Sequence, residues 1–309
     1  MTPTTKVLAA FVSFLVLAPA ALASPPEEFA EVHRHFLRGR ELQKLHRNPP
    51  EAAAEFEKAY AGYLEIARRY PRDPIASRAQ YMAGSAKLFL DQPDAAIAAY
   101  TAVLEKYPID PAYVAKALLQ RAMVEKNYLR PQAARRTLEQ FMALDSKTPD
   151  LLRRAEKLER SLRLVGKKAP ELQVRRWFRA GEPGDLARKG PRMIYFFTTW
   201  CPNCRKEAPF VSDLARRFAP RGFVVIGITD HSRGQTDGDI PPYLEKHGFR
   251  FPVGVDDGGK TSAAYEARSV PTLVLVDREG TVRWHDHPAA LSDRVLEELL
   301  SGMGSARVR

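Results

Sequence analysis

Cys201 and Cys204 are the only cysteines in a chain of 309 residues, and they stand three positions apart in Trp200-Cys201-Pro202-Asn203-Cys204. A disulfide that staples a small secreted fold closes a long loop, whereas so short a ring does little to constrain an unfolded chain. The spacing therefore points to reactive sulfur. Residues 193–198 form an apolar run that reads as a strand leading into the pair, and residues 202–219 read as a helix leaving it. A thiol at the first turn of that helix meets unpaired backbone N–H groups and the positive end of the helix dipole, which both favour its thiolate. In such motifs the nucleophile's pKa falls from about 8.5 to ~3.5–7.5. Positions i and i+3 of a helix hold their Cβ atoms about 5–6 Å apart, a small adjustment from disulfide range. Cys201 is the expected nucleophile, and Cys204 the thiol that resolves a mixed disulfide by closing the Cys201–Cys204 bond.

The elements that must hold these sulfurs lie between residue 165 and the C-terminus. Strand-like runs at 193–198, 223–229, 272–277 and 281–284 alternate with helix candidates at 202–219, 240–248, 260–267 and 291–301. That alternation predicts an α/β sheet with a right-handed parallel crossover around the thiols. Asp277-Arg278-Glu279-Gly280 reads as a hairpin turn in which Gly supplies the positive φ. Trp177 and Phe178 are expected to pack at a first hairpin of this domain.

Residues 24–164 have a different character. Ala, Leu, Glu, Arg and Lys dominate, and prolines recur at Pro49-Pro50, Pro71, Pro74, Pro93, Pro108, Pro111, Pro131 and Pro149, where each can open a helix but would break an interior. Tyr70-Pro71-x-Asp73-Pro74 returns 37 residues on as Tyr107-Pro108-x-Asp110-Pro111. Ala95-Ala96 before Tyr100 likewise returns as Ala133-Ala134 before Leu138. Three helix pairs are expected at 26–70, 74–107 and 111–145, with a capping helix at 148–165. Ahead of them, Lys6, an apolar stretch at residues 7–17 and Ala21-Leu22-Ala23 predict a signal peptide over residues 1–23. The mature chain is then exported and soluble, or membrane-anchored if the segment stays uncleaved. The net charge of +11 is spread along the chain and mixed with acidic residues. No nucleic-acid-binding module accompanies it, so a solvated basic surface is expected, without a nucleic-acid partner.

The helical segment resembles the tetratricopeptide repeat in its longer-period form, on Ala83-Gly84, Ala95-Ala96 with Tyr100, and the Tyr-Pro ends. The resemblance implies a surface for a protein or peptide. The C-terminal part resembles the thioredoxin fold, and within it the periplasmic TlpA, ResA and DsbE-type thiol–disulfide oxidoreductases. Four stretches carry this: Val165 to Pro170, Trp200 to Pro209, Gly248-Phe249-x-Phe251-Pro252-Val253 with Asp256, and Ser269-Val270-Pro271-Thr272 leading to Gly280. The resemblance implies that Pro271 is cis and faces Cys201, and that Trp200, Val270 and Pro271 line the substrate groove. It implies protein thiols or disulfides as substrates, a reductive role, a membrane thiol protein as electron donor, and no cofactor.

The chain departs from the pattern at two places. Tyr195 stands six positions before Cys201, where thioredoxins carry a buried acid, and Glu207 is a candidate to move the proton instead. Asn203 follows Pro202 in the dipeptide, and both are expected to tune the redox pair. Other chemistries weighed are an envelope scaffold whose Cys pair senses redox state or binds Cu(I), a thiol peroxidase suggested by Thr198-x-x-Cys201, and a metal pair at His285 and His287. The expected architecture is a multidomain α and α/β chain: signal peptide 1–23, repeats 24–164, thioredoxin-like domain 165–309.

Overall fold

The computed structural model describes residues 24–45, 49–145, 147–178, 183–184 and 190–302. The signal segment expected over 1–23 lies outside them. Among the described residues, no helix is long and apolar enough to cross a membrane.

Seven helices come first: α1 (Pro25–Leu45), α2 (Pro50–Arg69), α3 (Pro74–Phe89), α4 (Pro93–Glu105), α5 (Pro111–Asn127), α6 (Pro131–Met142) and α7 (Pro149–Leu164). Each begins with proline, whose fixed φ suits a first turn and whose missing N–H has no partner there anyway. The repeated Tyr-Pro-x-Asp-Pro is a stop and a start in one motif. Asp73 and Asp110 cap α3 and α5, accepting from the N–H of Ile75 and of Ala112 at 2.8 Å each. Successive units are then tied together by Ser77. Its hydroxyl donates to the Tyr107 carbonyl at 2.6 Å and accepts from the Asp110 N–H at 3.1 Å. Gly84 permits close packing within a unit, since a Cβ there would stand 2.6 Å from the Tyr100 ring.

A six-stranded sheet follows, in the order β1-β4-β3-β2-β5-β6. Its strands are β1 (Val174–Phe178), β2 (Arg192–Phe196), β3 (Val224–Thr229), β4 (Val253–Asp256), β5 (Thr272–Val276) and β6 (Val282–Asp286). The central strands β2, β3 and β4 are parallel, with α8 (Pro202–Phe218) crossing from β2 to β3. The hairpin at Asp277 forms as expected, with Gly280 at φ 75 and its N–H bonded to the Asp277 carbonyl. Strand β2 is buried on both faces. Met193 and Tyr195 pack with α8, while Ile194 and Phe196 face Tyr265 and the other core layer.

Among the described residues, Trp177 and Phe178 pack not in a hairpin but across to β4: β1 runs antiparallel to it, with Phe178 opposite Val253 and Trp177 opposite Gly254. A Cβ at Gly254 would stand 2.7 Å from Val174 and 3.0 Å from Trp177, so this edge closes only because the position is glycine.

Helix α7 does more than cap the array. It packs on α5 and α6, and both α5 and α7 reach β6. At that seam the buried Lys126 ammonium donates to the His285 carbonyl (2.7 Å) and to Asp286 (2.6 Å). The Ser161 hydroxyl also donates to the His285 carbonyl, and the Trp284 indole N–H to the Asn127 carbonyl.

Candidate functional site

Strand β2 ends beneath a short loop, Phe197 to Trp200, that delivers Cys201 to the start of α8. Cys201 is the N-cap of that helix, with φ −75 and ψ 117. Its Sγ occupies the place a capping oxygen takes elsewhere, accepting the Cys204 backbone N–H at 3.3 Å. Both cysteines are free thiols. Cys201 is 5% exposed and Cys204 wholly buried. One sulfur therefore touches the surface and its companion waits behind it. Burial pushes the Cys204 thiol far above its ordinary range, and its hydrogen bond with Cys201 adds to the shift.

The loop before β5 closes the site from the opposite side. The Val270–Pro271 peptide is cis. The Val270 carbonyl lies 3.7 Å from the Cys201 Sγ, in line to accept its S–H. Val270 is half-buried and Pro271 buried, so the rim beside Cys201 is backbone and aliphatic surface. Trp200 forms the other rim. Its indole N–H donates to the Ser232 hydroxyl at 3.3 Å, and the Arg233 guanidinium lies 4.2 Å above its ring.

The remaining expected residues fall around this pair. Pro202 opens α8 and is exposed, as is Asn203. Glu207, half-buried and one turn beyond Cys204, exerts its charge on Tyr195 and His287. Tyr195 lies under α8, where its hydroxyl donates to the Cys204 carbonyl at 3.3 Å. Burial, and then the charge of Cys204, push its phenol far up, so it stays protonated and accepts no proton. His285 and His287 do not converge on a site. His285 faces the Tyr265 carbonyl, while His287 accepts the Ala289 N–H. Among the described residues, no three His, Cys, Asp or Glu side chains gather to hold a metal.

Gln235 escaped the sequence reading. It is buried, accepts from both the N–H (2.7 Å) and the hydroxyl (2.8 Å) of Thr199, and donates to the Thr229 hydroxyl at 2.9 Å. One amide thus joins the loop that presents Cys201 to the end of β3. No local pattern marks a glutamine for that task.

Residues 165–285 match the AhpC/TSA family model. This part of the chain is similar to AhpC/TSA thioredoxin-like domains and has ResA-like relatives. The thiol–disulfide oxidoreductase ResA of Bacillus thuringiensis (strain Al Hakam) is 31% identical over 119 residues, which cover 38% of this chain and 66% of that protein. The chain thus spans a little under two thirds of that relative's length. A solved thiol–disulfide isomerase from Corynebacterium glutamicum is 26% identical, with a TM-score of 0.40, covering 45% of this chain and 98% of its own. A solved thioredoxin-like superfamily protein is 29% identical, with a TM-score of 0.41, covering 46% and 99%. The family match begins at Val165, directly after α7, and takes in both thiols, the Val270–Pro271 loop and β6 as far as His285.

Proposed function

We propose that the chain is an exported thiol–disulfide oxidoreductase that reduces protein disulfides in the cell envelope, with the helical array as its protein-binding module. The observation that carries this reading is the Cys201 sulfur at the cap of α8, facing the Val270 carbonyl at 3.7 Å. The Cys201 thiolate attacks one sulfur of a substrate disulfide, breaks the substrate S–S bond and forms a mixed disulfide. The departing substrate thiolate takes up a proton. Cys204, deprotonated in turn, attacks the Cys201 sulfur, closes the Cys201–Cys204 disulfide and releases the second substrate thiol. Two electrons have then passed from the pair to the substrate, and a membrane thiol protein restores them.

Each surrounding group has a part in this reading. Trp200, Val270 and Pro271 shape the groove, and the Val270 backbone pairs with an extended substrate segment. Glu207 takes the Cys204 proton that the protonated Tyr195 cannot. Pro202 and Asn203 set the potential of the pair. The proposed boundaries are 1–23 for the signal peptide, 24–164 for the repeats and 165–309 for the redox domain. The proposed location is the periplasm, with membrane attachment if the signal segment is retained.

The test uses two substitutions. Cys201→Ser abolishes disulfide reduction, and Cys204→Ser accumulates a covalent mixed disulfide through Cys201, read by mass spectrometry. Undiminished reduction by Cys201→Ser sinks the assignment of the nucleophile. A second reading, thiol peroxidase, is favoured by Thr198, whose buried hydroxyl has no partner among the described residues. Rapid catalytic consumption of the thiols by peroxide would select it.

A further inference from the structure

Two guanidinium groups flank Cys201, each held to a neighbour of that residue. Arg233 lies 4.2 Å above the Trp200 ring. Arg205, one turn into α8, reaches back to the Thr199 carbonyl at 3.5 Å. Both residues are exposed, as is Lys206 beside them. Among the described residues none of the three makes an ion pair, although cations on the same domain such as Arg216, Arg217 and Arg221 all do.

The carboxylates of the adjoining loop are already engaged. Asp230 accepts from Ser232, Asp239 from Thr236, and Asp237 from Arg175, Arg176 and His231. The backbone of Arg233 also sits at φ 51, a conformation that costs a non-glycine residue free energy. Its guanidinium lies on the face of Trp200, the residue before Cys201. Glu207, three residues beyond Cys204 on α8, is half-buried. The open rim of the thiol groove is therefore cationic, with planar guanidinium groups suited to carboxylates.

We propose that this rim selects substrates whose reactive cysteines are flanked by Asp or Glu, with Arg205 and Arg233 as the specificity-determining residues. The inference rests on the exchange chemistry proposed above and names its substrate class: disulfides set in acidic protein segments. Such a segment is drawn to the groove by the unpaired positive charge and lies along Val270 with its carboxylates on the two guanidinium groups. The effect is on encounter and docking, so it appears in kcat/KM and weakens with salt.

The experiment uses the full reduced chain and three substrates. Hydroxyethyl disulfide is small and neutral, and two disulfide-bridged peptides of matched sequence carry either Asp/Glu or Lys beside each cysteine. At low ionic strength the acidic peptide is expected to react about tenfold faster than the basic one, with the ratio falling towards one in high salt. The double reversal Arg205→Glu, Arg233→Glu is expected to invert the preference. Equal kcat/KM for the two peptides at low salt, with hydroxyethyl disulfide reduced normally, overturns this inference alone. Failure to reduce even hydroxyethyl disulfide overturns the exchange reading, and the inference with it. The salt dependence of the unmodified protein decides the matter even if the double variant does not fold.

Discussion

The chain buries two polar clusters and treats them in opposite ways. At the seam between the helices and β6, the donors of Lys126, Ser161 and Trp284 all find acceptors, and Lys126 is buried against an Asp286 that is only 13% exposed. At the start of α8, Cys204 is sealed but Cys201 reaches the surface. Among the described residues its sulfur meets the Cys204 N–H and thiol and the Val270 carbonyl, contacts that an incoming sulfur can displace. A buried ammonium held by a carbonyl and a carboxylate ties two elements together. A thiol that just touches the surface, with weak partners, is free to react.

The comparison predicts a double dissociation. The largest effect is on catalysis: Cys201→Ser lowers exchange by more than about 10³-fold, while urea unfolding shows stability nearly unchanged. Lys126→Met does the reverse. It strands the Asp286 charge with only Lys157, 3.4 Å away, as its cation, and costs about 3 kcal/mol of stability. Exchange by the folded fraction is retained. Loss of exchange in Lys126→Met at full stability would break the comparison.

Acid sharpens the same contrast. Burial, and then the charge of Lys126, hold His285 down at about 4 from its ordinary 6.5. The histidine is thus neutral in the fold and takes up a proton more readily when unfolded. Its contribution is fully present above pH 6.5 and is lost as pH falls towards 4, about 3 kcal/mol in all. Burial opposes ionisation of Asp286, but Lys126 and Lys157 outweigh it and keep its carboxyl well below the usual range. Its contribution is lost at still lower pH, as the carboxylate takes up a proton. Denaturation midpoints measured between pH 7 and 4 should therefore fall, and His285→Asn should flatten that part of the profile. The smallest effect lies at the far end of α8. Arg217 pairs there with Asp213 and Asp293 on the surface, so Arg217→Gln should change stability by no more than about 0.5 kcal/mol.

The features legible in the sequence are those whose causes are local. The thiol pair, its strand and its helix are contiguous, and each proline marks a helix start by its own geometry. The repeated Asp-Pro states both the cap and the first turn. The features that escaped are tertiary. Gln235 meets Thr199 across 36 residues, and Lys126 meets His285 across 159. Each looks like an ordinary polar residue in its own segment. Strand β4 is four residues long and contains Gly254, too short and too permissive to stand out as a strand. The pairing of β1 with it depends on a close approach that only the fold reveals.

In the proposed function, Cys201 and Cys204 form a couple poised to give electrons to protein disulfides. Equilibrating the full-length protein with thiol–disulfide buffers of graded composition measures the reduction potential of that couple. A reductant requires one two-electron transition near about −270 mV, carried by both cysteines and lost in Cys201→Ser. A transition near about −120 mV, the range of a strong oxidant, or no two-electron transition at all, would contradict it.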